Sequence, residues 1–237
     1  LEATVASLFP RARVARMDRD TVRGRGALEA LLDRVDRGDV DILMGTQMIA
    51  KGHDFPGVTL VGVLAADALL GLPDFRAGER AFQLLAQVAG RSGRRETAGE
   101  VIVQAFDPEH HAVRAACEHD FTSFAHAELA FRKSLRYPPF AALALMVFRD
   151  RSYDVAATRA GACAATLRRL GIDGLAVLGP APAPLERLRG EYRVQVMLKG
   201  ARRAVVRLGV EAAVEHLERA GMRPDQVTLD VDPVTTL

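Results

Sequence analysis

Three apolar runs, Asp41 to Gly45, Val58 to Ala66 and Val101 to Phe106, alternate with stretches of helical spacing, and this alternation limits the fold of the first half more than any other feature. Runs that are apolar at nearly every position read as strands buried on both faces, and helices between them bring such strands together in parallel. A short strand, Arg13 to Met17, precedes them, with helices expected at Leu1 to Phe9, Ala27 to Arg37 and Glu79 to Ala89. The expected product is an α/β lobe over residues 1–107. Its loops should gather at the carboxyl ends of the strands, after Gly45, Asp67 and Asp107. Asp18 and Asp20 read as capping or turn residues rather than metal ligands.

Residues 108–138 read as a helical connector. Its His110, His111, Cys117, His119 and His126 do not recur as a set at metal-binding helical spacing. Tyr137-Pro138-Pro139 ends it, because neither proline extends a helix and each pushes its predecessor to extended geometry. Beyond lies a C-terminal domain, 139–237, with strands at Phe140 to Phe148, Leu175 to Leu178, Tyr192 to Lys199 and Val227 to Val231. Helices at Tyr153 to Leu170 and Arg202 to Ala220 make the order βαββαβ, a ferredoxin-like α+β arrangement. Between the second and third strands, the proline-rich segment Gly179 to Pro184 reads as a stiff loop that delivers Arg187, Arg189, Tyr192 and Arg193 to one hairpin. Basic side chains beside an aromatic suit a nucleic-acid backbone and a stacked base, although a solvated hairpin would have the same composition.

One stretch carries chemistry of its own. In Gln87-Val88-Ala89-Gly90-Arg91-Ser92-Gly93-Arg94, a locally helical chain places Gln87, Arg91 and Arg94 on one face. Guanidinium forks bind phosphate oxygens in pairs and stay charged at any working pH. The competing reading is an arginine-rich helix end, with the arginines solvated or paired to Glu96 and Glu100. Upstream, Ile42 to Pro56 (ILMGTQMIAKGHDFP) is a β-like run that breaks into a polar, glycine-bearing loop.

These two stretches resemble motifs V and VI of superfamily-two helicases. More narrowly, GTQMIAKGHDFP, DFRAGER (Asp74 to Arg80), QVAGRSGR and the closing LDVDP (Leu229 to Pro233) are together similar to the C-terminal part of the PriA family of primosomal replication-restart helicases, also called primosomal protein N-prime. The resemblance runs over nearly the whole chain and implies a RecA-like second helicase lobe followed by the C-terminal domain. It implies that Arg91 and Arg94 reach the γ-phosphate of ATP with Gln87 assisting, and that Gly52 and Asp54 approach the nucleotide. Thr46, Gln47 and Lys51 would contact a DNA strand; Arg187, Arg189 and Arg193 of the hairpin are expected DNA contacts on their composition alone. His53 reads as a loop residue without a proton-transfer role. The family implies a 3′-to-5′ DNA helicase that recognises abandoned forks and promotes primosome assembly. Its expected partners are forked and single-stranded DNA, single-stranded-DNA-binding protein and primosome components.

The chain carries no GxxxxGK[ST] and no DExH-like string. The phosphate cradle and Mg²⁺ ligands of such an ATPase, and the family's zinc-binding insertion, are therefore expected elsewhere in a longer protein, and the chain alone is expected to be inactive. The alternative is a helicase-like scaffold without ATPase activity that binds forks and partners. A free-standing metabolic α/β enzyme is disfavoured, since the sheet-end loops carry no nucleophile or acid–base pair. Net charge is only +2, so local clusters rather than bulk charge must recruit nucleic acid. Cys117 and Cys163 show neither a metal-ligand spacing nor a disulfide framework, which suits a reduced cytoplasmic setting. No metal site is expected in this chain, and no apolar run approaches the roughly 20 residues of a membrane span.

Overall fold

A computed structural model describes residues 1–18, 20–22, 26–49, 55, 57–90 and 99–236. The chain divides into two compact units, one of Leu1–Leu69 with Glu79–Phe124, the other of Leu70–Gly78 with Ala125–Leu237.

In the first unit, helix α1 (Glu2–Leu8) leads to β1 (Val14–Met17), α2 (Ala27–Asp36) and β2 (Ile42–Gly45). Strands β1 and β2 pair in parallel from Val14↔Ile42 to Met17↔Gly45. Buried Ala15, Met17 and Leu31 form their core, with Leu28, Leu43 and Ile49 packed around it. Arg13 secures the starts of both strands: its Nε and Nη2 donate to the Asp41 carboxylate at 2.9 and 2.7 Å, and its backbone N–H donates to the same carboxylate at 2.7 Å. Strands β3 (Leu60–Val63) and β4 (Glu100–Val103) form a second parallel pair, with a 3₁₀ turn (Ala66–Leu69) and helix α3 (Ala77–Ala89) between them in sequence. The expectation of one parallel sheet is met only in part: among the described residues the four strands form two separate parallel pairs. Apolar runs mark strands, but they do not specify which strands become neighbours.

The expected uninterrupted connector is two helices, α4 (His111–Cys117) and α5 (Phe121–Ser134). The break has a local cause. His119 takes φ 54°, and the Asp120 carboxylate accepts the Ser123 backbone N–H at 2.9 Å and its hydroxyl at 2.5 Å, which starts a new helix rather than continuing the old one.

The second unit is built on a four-stranded antiparallel sheet of β5 (Ala142–Asp150), β6 (Leu175–Leu188), β7 (Glu191–Gly200) and β8 (Val227–Val231), in the order β6-β7-β5-β8. Helix α6 (Tyr153–Leu170) follows β5, and α7 (Arg203–Arg219) follows β7. On α6, the buried residues Ala156, Ala160, Cys163, Ala164 and Leu167 recur at helical spacing, and their small side chains let the helix lie close to Ala144, Met146 and Phe148 of β5 and Val194, Val196 and Leu198 of β7. The proline-rich segment is a correction to the sequence expectation: Gly179 to Pro184 is not a loop but the middle of β6. This strand lies at the sheet edge, where the missing proline N–H groups cost no ladder bond, and register shifts after Leu178 and after Pro182 absorb the irregularity. Gly179 sits at the first shift with φ 94°, and a Cβ there would come within 2.7 Å of the Gln195 carbonyl oxygen.

The Arg13 hydrogen bonds hold the Asp41 pKa at about 2 against an ordinary 3.8. A depressed carboxylate pKa stabilises the fold at pH values above the unfolded pKa, and that contribution is lost as pH falls through the folded one. The stability difference between the wild type and Asp41→Asn, measured by urea unfolding, should therefore be constant above about pH 5 and shrink between 3.8 and about 2; a difference independent of pH would refute the assignment.

Candidate functional site

The residues marked by sequence fall in three places. The first is the carboxyl end of β2. Pairing of Met17 with Gly45 brings the backbones so close that a Cβ at Gly45 would collide with the Met17 carbonyl oxygen, so only glycine lets the chain turn away here. Thr46 and Gln47 follow and are exposed, and the Ile49 N–H returns to the Thr46 carbonyl at 3.1 Å, closing a tight turn. Lys51, Gly52, His53 and Asp54 lie outside the described residues.

The second place is the end of α3. Ala81, Phe82 and Leu85 are buried on one side of this helix, and Phe82 stacks on Phe124 at 4.1 Å and meets Phe121 at 6.1 Å. That anchoring fixes the rotation of the helix, and Gln87, two positions beyond Leu85, is exposed. The Gly90 N–H still bonds the Ala86 carbonyl at 3.1 Å. Arg91 and Arg94 lie outside the described residues, so only Gln87 of the expected trio is described.

The lead-in to α3 is held within the second unit. Asp74 is buried; it accepts the Arg76 backbone N–H at 3.0 Å, ahead of the helix, and the Thr235 hydroxyl at 2.7 Å. Thr236 donates to the Pro73 carbonyl at 3.2 Å. Next to Asp74, Phe75 stacks on Tyr137 at 5.6 Å, with the Arg132 and Arg76 guanidiniums 5.5 and 5.4 Å from its ring centre. Lys199 continues the stack 4.0 Å from the centre of the Tyr137 ring while donating to the Leu135 carbonyl at 2.7 Å; burial and then Arg136 lower its pKa. The DFRAGER string is visible in the sequence, but the anchoring of Asp74 by Thr235 and of Phe75 by Tyr137 is not, because these partners are distant along the chain.

The third place is the β6–β7 hairpin. Leu188 pairs with Glu191 across a two-residue turn in which Arg189 and Gly190 have φ 52° and 86°, the left-handed pair typical of a type I′ hairpin turn. Arg189 therefore projects from the tip. Arg187, paired with Tyr192, has its guanidinium 5.1 Å from that ring's centre, and Tyr192 meets Tyr153 edge-on at 6.0 Å. Arg193 lies on the opposite face from Tyr192, because successive side chains on a strand alternate. The three arginines thus share a hairpin without forming one cluster.

In the first unit, the sequence marks Asp67 only as a strand end. Its Oδ2 accepts the N–H groups of Phe106 and Asp107 at 2.7 and 3.0 Å; burial pushes its pKa up, but these bonds, its own backbone N–H and the nearby His110 bring it below the ordinary value. Cys163 is buried, which raises its pKa to about 11 and makes it a poor nucleophile. Among the described residues no group of three His, Cys, Asp or Glu side chains is arranged to hold a metal, and no helix is long and apolar enough to cross a membrane.

Residues 133–234 match the family model described as the primosomal protein N C-terminal domain. The chain is 40% identical over 235 residues to the replication restart protein PriA of Bacillus subtilis, covering 98% of this chain and 29% of that protein. It is 39% identical over 236 residues to the protein of the same name from Haemophilus influenzae, covering 98% of this chain and 32% of that one. The Treponema pallidum protein of that name is 41% identical over 238 residues, with 100% of this chain and 36% of the relative covered. The chain therefore spans about a third of the length of these relatives.

Removing the Asp74 carboxylate leaves the Thr235 hydroxyl and the Arg76 N–H without that acceptor. Asp74→Ala should cost about 1–3 kcal/mol in denaturant unfolding, and Thr235→Val less; an Asp74→Ala chain as stable as wild type would show that the carboxylate does not anchor this segment.

Proposed function

Since the chain belongs to the PriA family of replication restart proteins, corresponding to its C-terminal part, we propose that it works within a longer ATP-dependent DNA helicase that binds stalled forks and restarts replication by promoting primosome assembly. The observation that carries this is similarity of about 40% identity along nearly the entire chain to replication restart proteins, and the QVAGRSGR string begins with Gln87 in the last turn of α3. In this role residues 1–107 are a RecA-like second motor lobe, 108–138 a connector and 139–237 a ferredoxin-like domain. The antiparallel order β6-β7-β5-β8, with α6 and α7 sharing one core, supports the last assignment.

The division of labour follows from the residues present. A helicase ATP site needs a phosphate loop and Mg²⁺ carboxylates, which this sequence does not carry, and positive charge at the γ-phosphate, which it does. Arg91 and Arg94 supply that charge with Gln87 assisting, and Gly52 and Asp54 approach the nucleotide. Thr46, Gln47 and Lys51 in the same GTQMIAKGHDFP string contact a DNA strand, so a shift at the nucleotide is felt at the DNA through one short segment. The exposed Gln87, and the exposed Thr46 and Gln47 just beyond the close β1–β2 approach, support this use. Arg187, Arg189 and Arg193 add phosphate contacts from the hairpin. Single-stranded-DNA-binding protein and primosome components are the protein partners. Zinc belongs to another part of the longer protein.

ATP hydrolysis by the longer protein, with and without forked DNA, tests this role. An arginine acting on the transferring phosphoryl group contributes about 10³-fold or more. Arg94→Ala should therefore lower the DNA-stimulated rate by about that factor while fork binding persists. A wild-type protein that binds forks but hydrolyses no ATP would instead be a scaffold.

A further inference from the structure

The sheet of the second unit has two faces, and its arginines are divided between them. Ala144, Met146 and Phe148 of β5 and Val194, Val196 and Leu198 of β7 face the core shared with α6 and α7. The register pairs Arg149 with Arg193, so alternation puts both on the other face, where Gln195 is the next same-face residue of β7. Like charges set directly opposite each other weaken a ladder. Here both are also partly buried.

Their polar atoms lack the partners that burial normally demands. Nε of Arg149, Nε of Arg193 and Oε1 of Gln195 are each shielded from solvent with no hydrogen-bond partner. Arg193 is held through Nη1, which donates to the Leu185 carbonyl at 3.2 Å. Burial and then the neighbouring Arg149 lower its pKa. The adjacent carboxylate, Asp150, faces the other way and pairs with Arg159 at 2.8 Å. Two guanidiniums and an amide acceptor are thus neighbours on one face, each with a shielded polar atom left unpaired, an arrangement that folding alone does not favour and that an anion carrying an N–H donor would complete.

We propose that Arg149, Arg193 and Gln195 form a binding site for one nucleotide of single-stranded DNA, the guanidiniums taking its phosphodiester and the Gln195 amide oxygen an N–H of its base. Every base offers at least one such N–H, so the site tolerates any sequence. A linear polyanion fits better than a single terminal carboxylate, because Arg189 at the tip of the same hairpin extends the positive charge beyond one group. The inference deepens the DNA-binding role proposed above and adds Arg149 and Gln195 to it.

The test is a fluorescence-anisotropy titration of the 237-residue chain with a labelled single-stranded oligodeoxynucleotide at several salt concentrations, alongside thermal unfolding. Arg149→Met should weaken binding by about tenfold and reduce the slope of log affinity against log salt by about one, because one phosphate contact is lost. Gln195→Leu should weaken binding without changing that slope. Without DNA, Arg149→Met should unfold at the same or a higher temperature than wild type, since it relieves the like-charge pair, while losing part of the oligonucleotide-induced rise. Three results would overturn the site: unchanged affinity and slope in a folded Arg149→Met chain, a large drop in its DNA-free unfolding temperature, or capture of an acidic peptide by a chain that ignores the oligonucleotide. The ATPase role fails on a different measurement, so hydrolysis could be absent while this site stands.

Discussion

The ladder between β5 and β7, nine consecutive antiparallel pairs from Ala142↔Gly200 to Asp150↔Tyr192, is the constraint on which the second unit depends. It decides at every position which side chain meets α6 and α7 and which does not. A slip of one residue by β5 would bury Arg149 in the core and turn Phe148 out of it, and the same slip by β7 would exchange Arg193 with Val194. With Phe148, Met146, Val194, Val196 and Leu198 fully buried on one face, that slip is prohibitive. The register that stabilises the core is therefore the one that holds two guanidiniums together on the opposite face, an uncompensated cost of the kind that marks a functional surface.

The same face is used differently at its two ends. At one end Lys199 lies against Tyr137, which stacks on Phe75, and the flanking arginines make this an alternation of cations and rings. Buried Glu128 pairs with Arg132 at 2.8 Å, so charge at that end is compensated. At the other end Arg149 and Arg193 have no such carboxylate partner among the described residues. The contrast separates a structural use of arginine from a binding one.

What could be read from the sequence followed from how local each signal is. The alanine-rich periodicity of Tyr153–Leu170 and the alternation in Val227–Val231 sit within single elements, and both elements have the expected bounds. Strand pairing in the first half could not be read the same way, because Val14–Met17 and Leu60–Val63 carry no record of their neighbours. The prolines at 180, 182 and 184 read as a loop, since their tolerance depends on β6 being an edge strand, a property of the sheet rather than of the segment. The helix break at Asp120 was legible in its Asp-x-x-Ser spacing but lay inside an otherwise helical composition. The hairpin arginines were visible as a group, whereas Arg149, 44 residues before Arg193, joins them only through register.

We propose that Gln87, on a helix whose rotation is set by Phe82, Phe121 and Phe124, and the arginines Arg91 and Arg94 that follow it in sequence act on the γ-phosphate of an ATP bound by another part of the longer protein. A crystal structure of that protein with ADP and a planar γ-phosphate mimic tests it most directly. A guanidinium nitrogen of Arg91 or Arg94 should lie about 3 Å from the mimic. Both arginines turned instead to Glu96 and Glu100, with no guanidinium in reach of the nucleotide, would contradict the account.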